Sequence, residues 1–185
     1  MTLARALALL SVAALAGCVS TNEEPFPLDG GVAVSPAAAG YVCDSFDVRG
    51  KRQPGAKTGR VIVLRRNQKT QYAFLDVEKA PAEPFTLHQA GGDLYLAAAA
   101  HADAPGEDLY LVEFADAGKS FRLYAESADF PSRAQGLAQD HGVTLTHNPL
   151  TNDLAGPIGG QKAFMIDMAA NSAAWTVAAE CRAKR

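Results

Sequence analysis

Several absences narrow the class of this chain. No segment reads as a membrane-crossing helix, which needs about twenty consecutive apolar residues. The apolar stretch at residues 6–15 has roughly half that length, and the richest later one, residues 95–100, stops at His101 and Asp103. Base is not in excess: 17 Lys and Arg stand against 20 Asp and Glu, a net charge of -3, which argues against a dedicated nucleic-acid binder. The common catalytic signatures are missing too. In the glycine-rich run 156–163 Lys162 does not follow a glycine, and no Ser or Thr comes after it to hold magnesium, so the run reads as a surface loop rather than a phosphate loop. No serine sits between glycines as in a hydrolase elbow. His141 has no neighbouring Glu, as a zinc-protease helix requires. No cysteine has a Cys or His partner at zinc spacing, so neither a metal nor a cofactor is expected. There is no repeat of fixed period.

What is present is a globular composition, 48% hydrophobic and 20% charged, at the length of one domain. Ahead of it stands Arg5, followed by the short apolar core at residues 6–15, the architecture of a secretory signal. The signal ends in Leu15-Ala16-Gly17-Cys18: an aliphatic residue, two small ones, then cysteine. Small residues let an extended backbone enter a narrow peptidase site, and the thiol is where diacylglycerol attaches. On these residues the chain resembles bacterial lipoproteins, over about its first twenty positions. The resemblance implies cleavage before Cys18, fatty chains such as palmitate on that cysteine, and attachment to a membrane without crossing it. Buried acyl chain contributes ~0.8 kcal/mol per CH₂, and two or more chains make the anchor stable. Val19 and Ser20 follow the cysteine. In the lipoproteins that this chain resembles, Asp there often retains the protein in the inner membrane. Its absence favours the outer membrane, with the domain facing the periplasm.

That compartment is oxidising, so the remaining pair, Cys43 and Cys181, is read as a disulfide, with two buried free thiols as the alternative. The domain organisation expected is a signal at 1–17, a flexible tether at 18–39 rich in Pro, Gly and Ala, and one globular domain at 40–185. From residue 40 the pattern is mostly strand-like. Residues 41–48 alternate, 61–64 are a β-branched run, and 70–78 return as the second arm of a hairpin. A meander follows at 93–99, 108–115 and 119–126, with Phe121 and Leu123 on one face and Arg122 and Tyr124 on the other. Residues 132–141 suit a helix, 143–146 a short extended piece, 148–161 a loop, 163–170 either a helix or a buried strand, and 175–181 a last strand. The fold class expected is mainly β: a small antiparallel sandwich or partly closed barrel with one or two short helices.

Two sets of residues invite chemistry. His141 and His147 with Asp140 suggest a carboxylate-polarised imidazole, hence a periplasmic hydrolase. Charge segregation suggests binding instead. Arg49, Lys51, Arg52, Lys57, Arg60, Arg65, Arg66 and Lys69 occupy residues 49–69 without one acid, whereas residues 103–129 lean the other way, with seven acids against Lys119 and Arg122. A basic patch near a membrane would meet anionic lipid, cell-wall polymer or another envelope protein, at about 1 kcal/mol per base close to the surface. The function expected is thus a lipid-anchored, non-catalytic binding or assembly factor, with the hydrolase as the alternative.

Overall fold

The computed structural model describes residues 18–27, 31–32, 40–47, 49–55, 57–66, 69–76, 84–101, 105–148 and 151–184; at residue 18 and over 57–76 the backbone is described, but of the side chains only that of Tyr72. The expected signal at 1–17 lies outside the described residues. The chain is mainly β, as expected. Its strands are β1 (Cys18–Thr21), β2 (Tyr41–Ser45), β3 (Lys57–Arg66), β4 (Lys69–Asp76), β5 (Thr86–Gly91), β6 (Leu94–Ala100), β7 (Glu107–Ala115), β8 (Ser120–Glu126), β9 (Thr144–His147), β10 (Thr151–Ala155) and β11 (Trp175–Ala183). The α-helices among the described residues are α1 (Phe130–Asp140) and α2 (Ile158–Ala170).

Antiparallel neighbours run in the order β5-β6-β7-β8-β11-β2-β3-β4. This sheet curls into a half-barrel. Its ends are joined by one bridge, in which Tyr72 and Phe85 exchange both N–H···O bonds at 2.8 Å. The alternation read from the sequence decides what faces inward. Val112 and Phe114 of β7, Phe121 and Leu123 of β8, and Tyr95 and Ala97 of β6 pack with Tyr41, Cys43 and Cys181. The intervening residues, Leu96, Ala98, Leu109 and Leu111, face the other way. There Phe130, Ala134 and Ala138 of α1 and Phe164, Met165 and Met168 of α2 cover them. Each large apolar side chain taken out of water there stabilises by roughly 1.5–3 kcal/mol. Trp175 joins this layer, its indole N–H donating to the Met168 carbonyl at 2.7 Å.

Cys43 and Cys181 form the disulfide. They stand opposite each other on β2 and β11, Cα atoms 4.0 Å apart, and close a separation of 138 residues. In the chain-entropy account a loop of that length contributes about 5 kcal/mol.

The largest departure concerns residues 18–39. Their composition predicts a tether, but residues 18–21 form a strand of the sheet. β1 pairs parallel with β10 along Cys18–Thr21 and antiparallel with β7 through Val19 and Ser20. Val19 is fully buried and Phe26 is 2% exposed. Thr21 fastens the strand: its hydroxyl donates to the Glu107 carbonyl at 3.1 Å and accepts the Glu107 N–H at 3.0 Å. Pro and Gly content points to a tether, yet so short a strand needs few apolar residues when both its neighbours supply ladder bonds. The rest of the expected tether, residues 28–30 and 33–39, lies outside the described residues. The sheet is accordingly mixed rather than purely antiparallel. The expected loop at 148–161 also differs, forming β10 and the first turn of α2.

Gly106 shows how close this docking is. Its φ is +120°, and a Cβ there would run into the Thr21 carbonyl oxygen and the His101 ring. Gly136, on α1, has open space where a Cβ would stand, with nothing within 4 Å. Gly106→Ala should lower unfolding stability by about 3 kcal/mol or more. Gly136→Ala should raise it by about 0.5–1 kcal/mol. Denaturant titration of the two variants checks both signs.

Candidate functional site

The backbone spreads the basic residues along the length of β3. β3 runs from Lys57 to Arg66, so Lys57 and the β2–β3 loop lie at one end of it, and Arg65, Arg66 and Lys69 lie at the other, where β3 turns into β4. The side chains of Lys57, Arg60, Arg65, Arg66 and Lys69 lie outside the described residues. Arg49, Lys51 and Arg52 are exposed in the loop, but acids lie among them. Arg52 pairs with Asp44 at 2.5 Å. The Asp47 carboxylate accepts the backbone N–H groups of Lys51 and Arg49, each at 2.9 Å. The Lys51 N–H chiefly holds the Asp47 carboxyl below its usual range. A shallow cavity of about 380 Å³ opens beside Arg52, Gln53, Pro54 and Gly55.

The histidines and Asp140 are not joined. His141 follows α1 and bonds through Nε2 to Asp167 of α2 at 2.8 Å. His147, on β9, has Nδ1 2.9 Å from Asn152 Oδ1. Asp140 is exposed at the end of α1. A general base needs its orienting carboxylate and its substrate on opposite ring nitrogens. Nothing in this arrangement gives His141 and His147 a common centre. A different Ser–His–Asp group occurs where β1 meets β7, formed by Ser20, His101 and Asp108. Ser20 Oγ lies 3.2 Å and Asp108 Oδ1 3.1 Å from the same atom, His101 Nε2, while Nδ1 is 3.4 Å from the Pro105 carbonyl. Asp108 thus competes with Ser20 for Nε2 instead of orienting the ring from Nδ1, so the three side chains lack the triad arrangement and tie β1 to the start of β7. Among the described residues no group of three or more His, Cys, Asp or Glu is placed to hold a metal.

The unusual chemistry belongs to two carboxyls that flank β1. Val19 of β1 stands beside Leu109 on one side and Asn152 on the other. Asn152, 1% exposed, donates from its side-chain nitrogen to Glu126 Oε2, which leaves its oxygen to accept from His147 Nδ1. Glu126 Oε1 is buried with no hydrogen-bond partner among the described residues. Burial pushes the Glu126 carboxyl up to about 7, against the opposing pull of Asn152 and His147. On the other side Glu107, 3% exposed, accepts the Phe26 N–H at 3.0 Å. Burial pushes its carboxyl up to about 7 as well; the Phe26 bond opposes the rise, and Glu24 adds to it. Both belong to the acid-rich stretch 103–129. The one sequence hint is position: each stands at the end of a strand whose other residues alternate.

With this geometry in hand, the chain matches no protein-family model, no curated protein and no solved structure.

A carboxyl raised in the folded state holds a proton that the unfolded chain has released between pH 4.5 and 7. Stability is therefore fully present at low pH and is lost as pH rises through about 7. Denaturant midpoints from pH 5 to 8 should fall, by roughly 2–3 kcal/mol of stability for each carboxyl. The double variant Glu107→Gln, Glu126→Gln should flatten the profile. A wild-type profile that is flat or rising over this interval would show that neither group is buried as described.

Proposed function

We propose that the chain is a bacterial lipoprotein: exported, cut before Cys18, and held by acyl chains at the outer membrane with its domain in the periplasm. There it serves as a non-catalytic binding or assembly factor. The observation that carries this is the run Leu15-Ala16-Gly17-Cys18 behind a short apolar core and Arg5. Two features support it. The Cys43–Cys181 bridge suits an oxidising compartment. No helix among the described residues is long and apolar enough to cross a membrane, and acyl chains on Cys18 would supply the attachment.

The separate partners of His141 and His147 favour binding over hydrolysis. The partner is an anionic lipid, a cell-wall polymer or another envelope protein. Of the bases at 49–69, Arg49 and Lys51 are exposed in the β2–β3 loop and available to it.

Cys18→Ser tests the anchor. The mature wild-type protein should carry fatty acid by intact mass and sediment with envelopes. The variant should carry none and keep its uncleaved leader, because lipidation precedes cleavage in the lipoproteins that this chain resembles. Wild-type protein that sediments with envelopes yet carries no fatty acid at Cys18 overturns the proposal.

A further inference from the structure

A lipoprotein anchor usually leads into a spacer, and here the spacer's place is taken by a strand. Cys18 is both the residue that would carry the acyl chains and the first residue of β1, level with Thr151 of β10. β1 is fixed along its length. Besides the Thr21 clasp, the Asn22 N–H donates to the Leu154 carbonyl at 3.3 Å, and Gln161 Nε2 donates to Asn22 Oδ1 at 3.0 Å. Neighbouring strands lie about 4.8 Å apart, so β10 and β9 are within about 10 Å of the anchored strand. With β1 docked, a membrane gripped at residue 18 must touch this branch of the sheet.

Register tells which face it touches. Cys18 and Ser20 pair with Thr151 and Asp153, and Asp153 and Ala155 pair in turn with Thr146 and Thr144. These positions share one face of the branch. The opposite face carries Val19, Leu145 and Leu154, which pack into the core beneath the helices. On the Cys18 face Thr144, Thr146 and Asp153 are exposed, and Ser20 and Thr151 are half-buried. Asp153 is already occupied: Thr151 Oγ1 donates to one carboxylate oxygen at 2.8 Å, and the Asn148 side-chain amide donates to the other. What this face offers outward is therefore chiefly the hydroxyls of Thr144 and Thr146. Hydroxyls donate to phosphodiester and glycerol oxygens, and no large apolar side chain of this face is available to enter hydrocarbon.

We propose that the Ser20, Thr144, Thr146, Thr151 and Asp153 face of the β1-β10-β9 branch lies against the headgroup layer of a phospholipid bilayer, pinned there by the lipids on Cys18. This rests on the lipoprotein assignment and adds to it an orientation: the branch is membrane-proximal, and α1, on the far side of the branch, points away. The domain is held directly on the surface instead of ranging above it.

The test uses the mature acylated protein in phosphatidylethanolamine–phosphatidylglycerol vesicles that contain a headgroup nitroxide. A fluorophore is placed at Thr146→Cys on the proposed face, and in a second protein at Gln135→Cys, exposed on α1. Quenching at Thr146 should exceed that at Gln135 by roughly threefold or more, as expected for a surface held at headgroup depth. A Gly–Ser spacer of about twelve residues inserted after Cys18, with a reach of about 20 Å, should bring the two positions to equal quenching. Thr144→Cys is a second reporter in case the Thr146 variant does not fold. Equal quenching without the spacer, in protein whose mass shows the acyl chains, overturns the orientation and leaves the lipoprotein assignment standing. Absence of fatty acid at Cys18 overturns both.

Discussion

The structure turns on how the outer edge of β7 is shared. One edge of this strand is paired along its length with β6. The other is divided: Leu111–Ala115 bond to β8, while Asp108 and Leu109 bond to β1. A strand edge left open at that fork would strand backbone donors and acceptors beside the core, at a cost of about 1–3 kcal/mol each. The four residues of β1 close it. They also carry β10 and β9, because among the described strands β10 has no neighbour but β1 and β9. The part of the core that Val19, Leu109 and Leu154 form beneath the helices is assembled only when β1 is in place.

This explains which parts of the fold are legible in the sequence. Strands whose burial is apolar announce themselves by alternation. In β7 and β8 the inward Val112, Phe114, Phe121 and Leu123 are hydrophobic, and Arg122 between them is exposed. The disulfide is legible once the lipobox reading sets Cys18 aside and leaves Cys43 and Cys181 as a pair. β5 and β10 escape notice because polar residues are buried in them by pairing. Thr86 and His88 bond to each other at 2.9 Å, and Asn152 bonds to Glu126 and His147. Hydrophobic pattern carries no trace of such pairs. The start of α2 is hidden by Gly159 and Gly160. Gly160 is there for room, since a Cβ would collide with the His141 carbonyl oxygen, and not for a turn. β1 is the hardest case, because its place depends on partners far along the chain.

The candidate site is less legible for a related reason. A run of like charges is visible in a sequence, but its neutralisation is not. Arg52 pairs with Asp44 and the backbone at 49 and 51 bonds to Asp47 in the folded loop, and the strand that follows carries Arg65, Arg66 and Lys69 to its far end. Conversely Glu107 and Glu126 count as surface acids until the fold buries them.

Why a carboxyl should stand at position 107 can be argued from the backbone. The chain leaves β1 through Pro25, which has no N–H, and turns inward so that Phe26 can pack on the His88 ring, 5.1 Å between centroids. The Phe26 N–H is buried by that turn and needs an acceptor. Glu107 Oε2 supplies it from the same residue whose backbone is clasped by Thr21. An apolar side chain at 107 would fill the space and leave the donor unpaired, a cost of about 1–3 kcal/mol. A glutamine would satisfy the donor and remove the dependence on pH. The carboxyl satisfies it too, but ties the docking of β1 to a proton near neutrality. Residue 107 thus joins β1 to the medium around it through one buried acid.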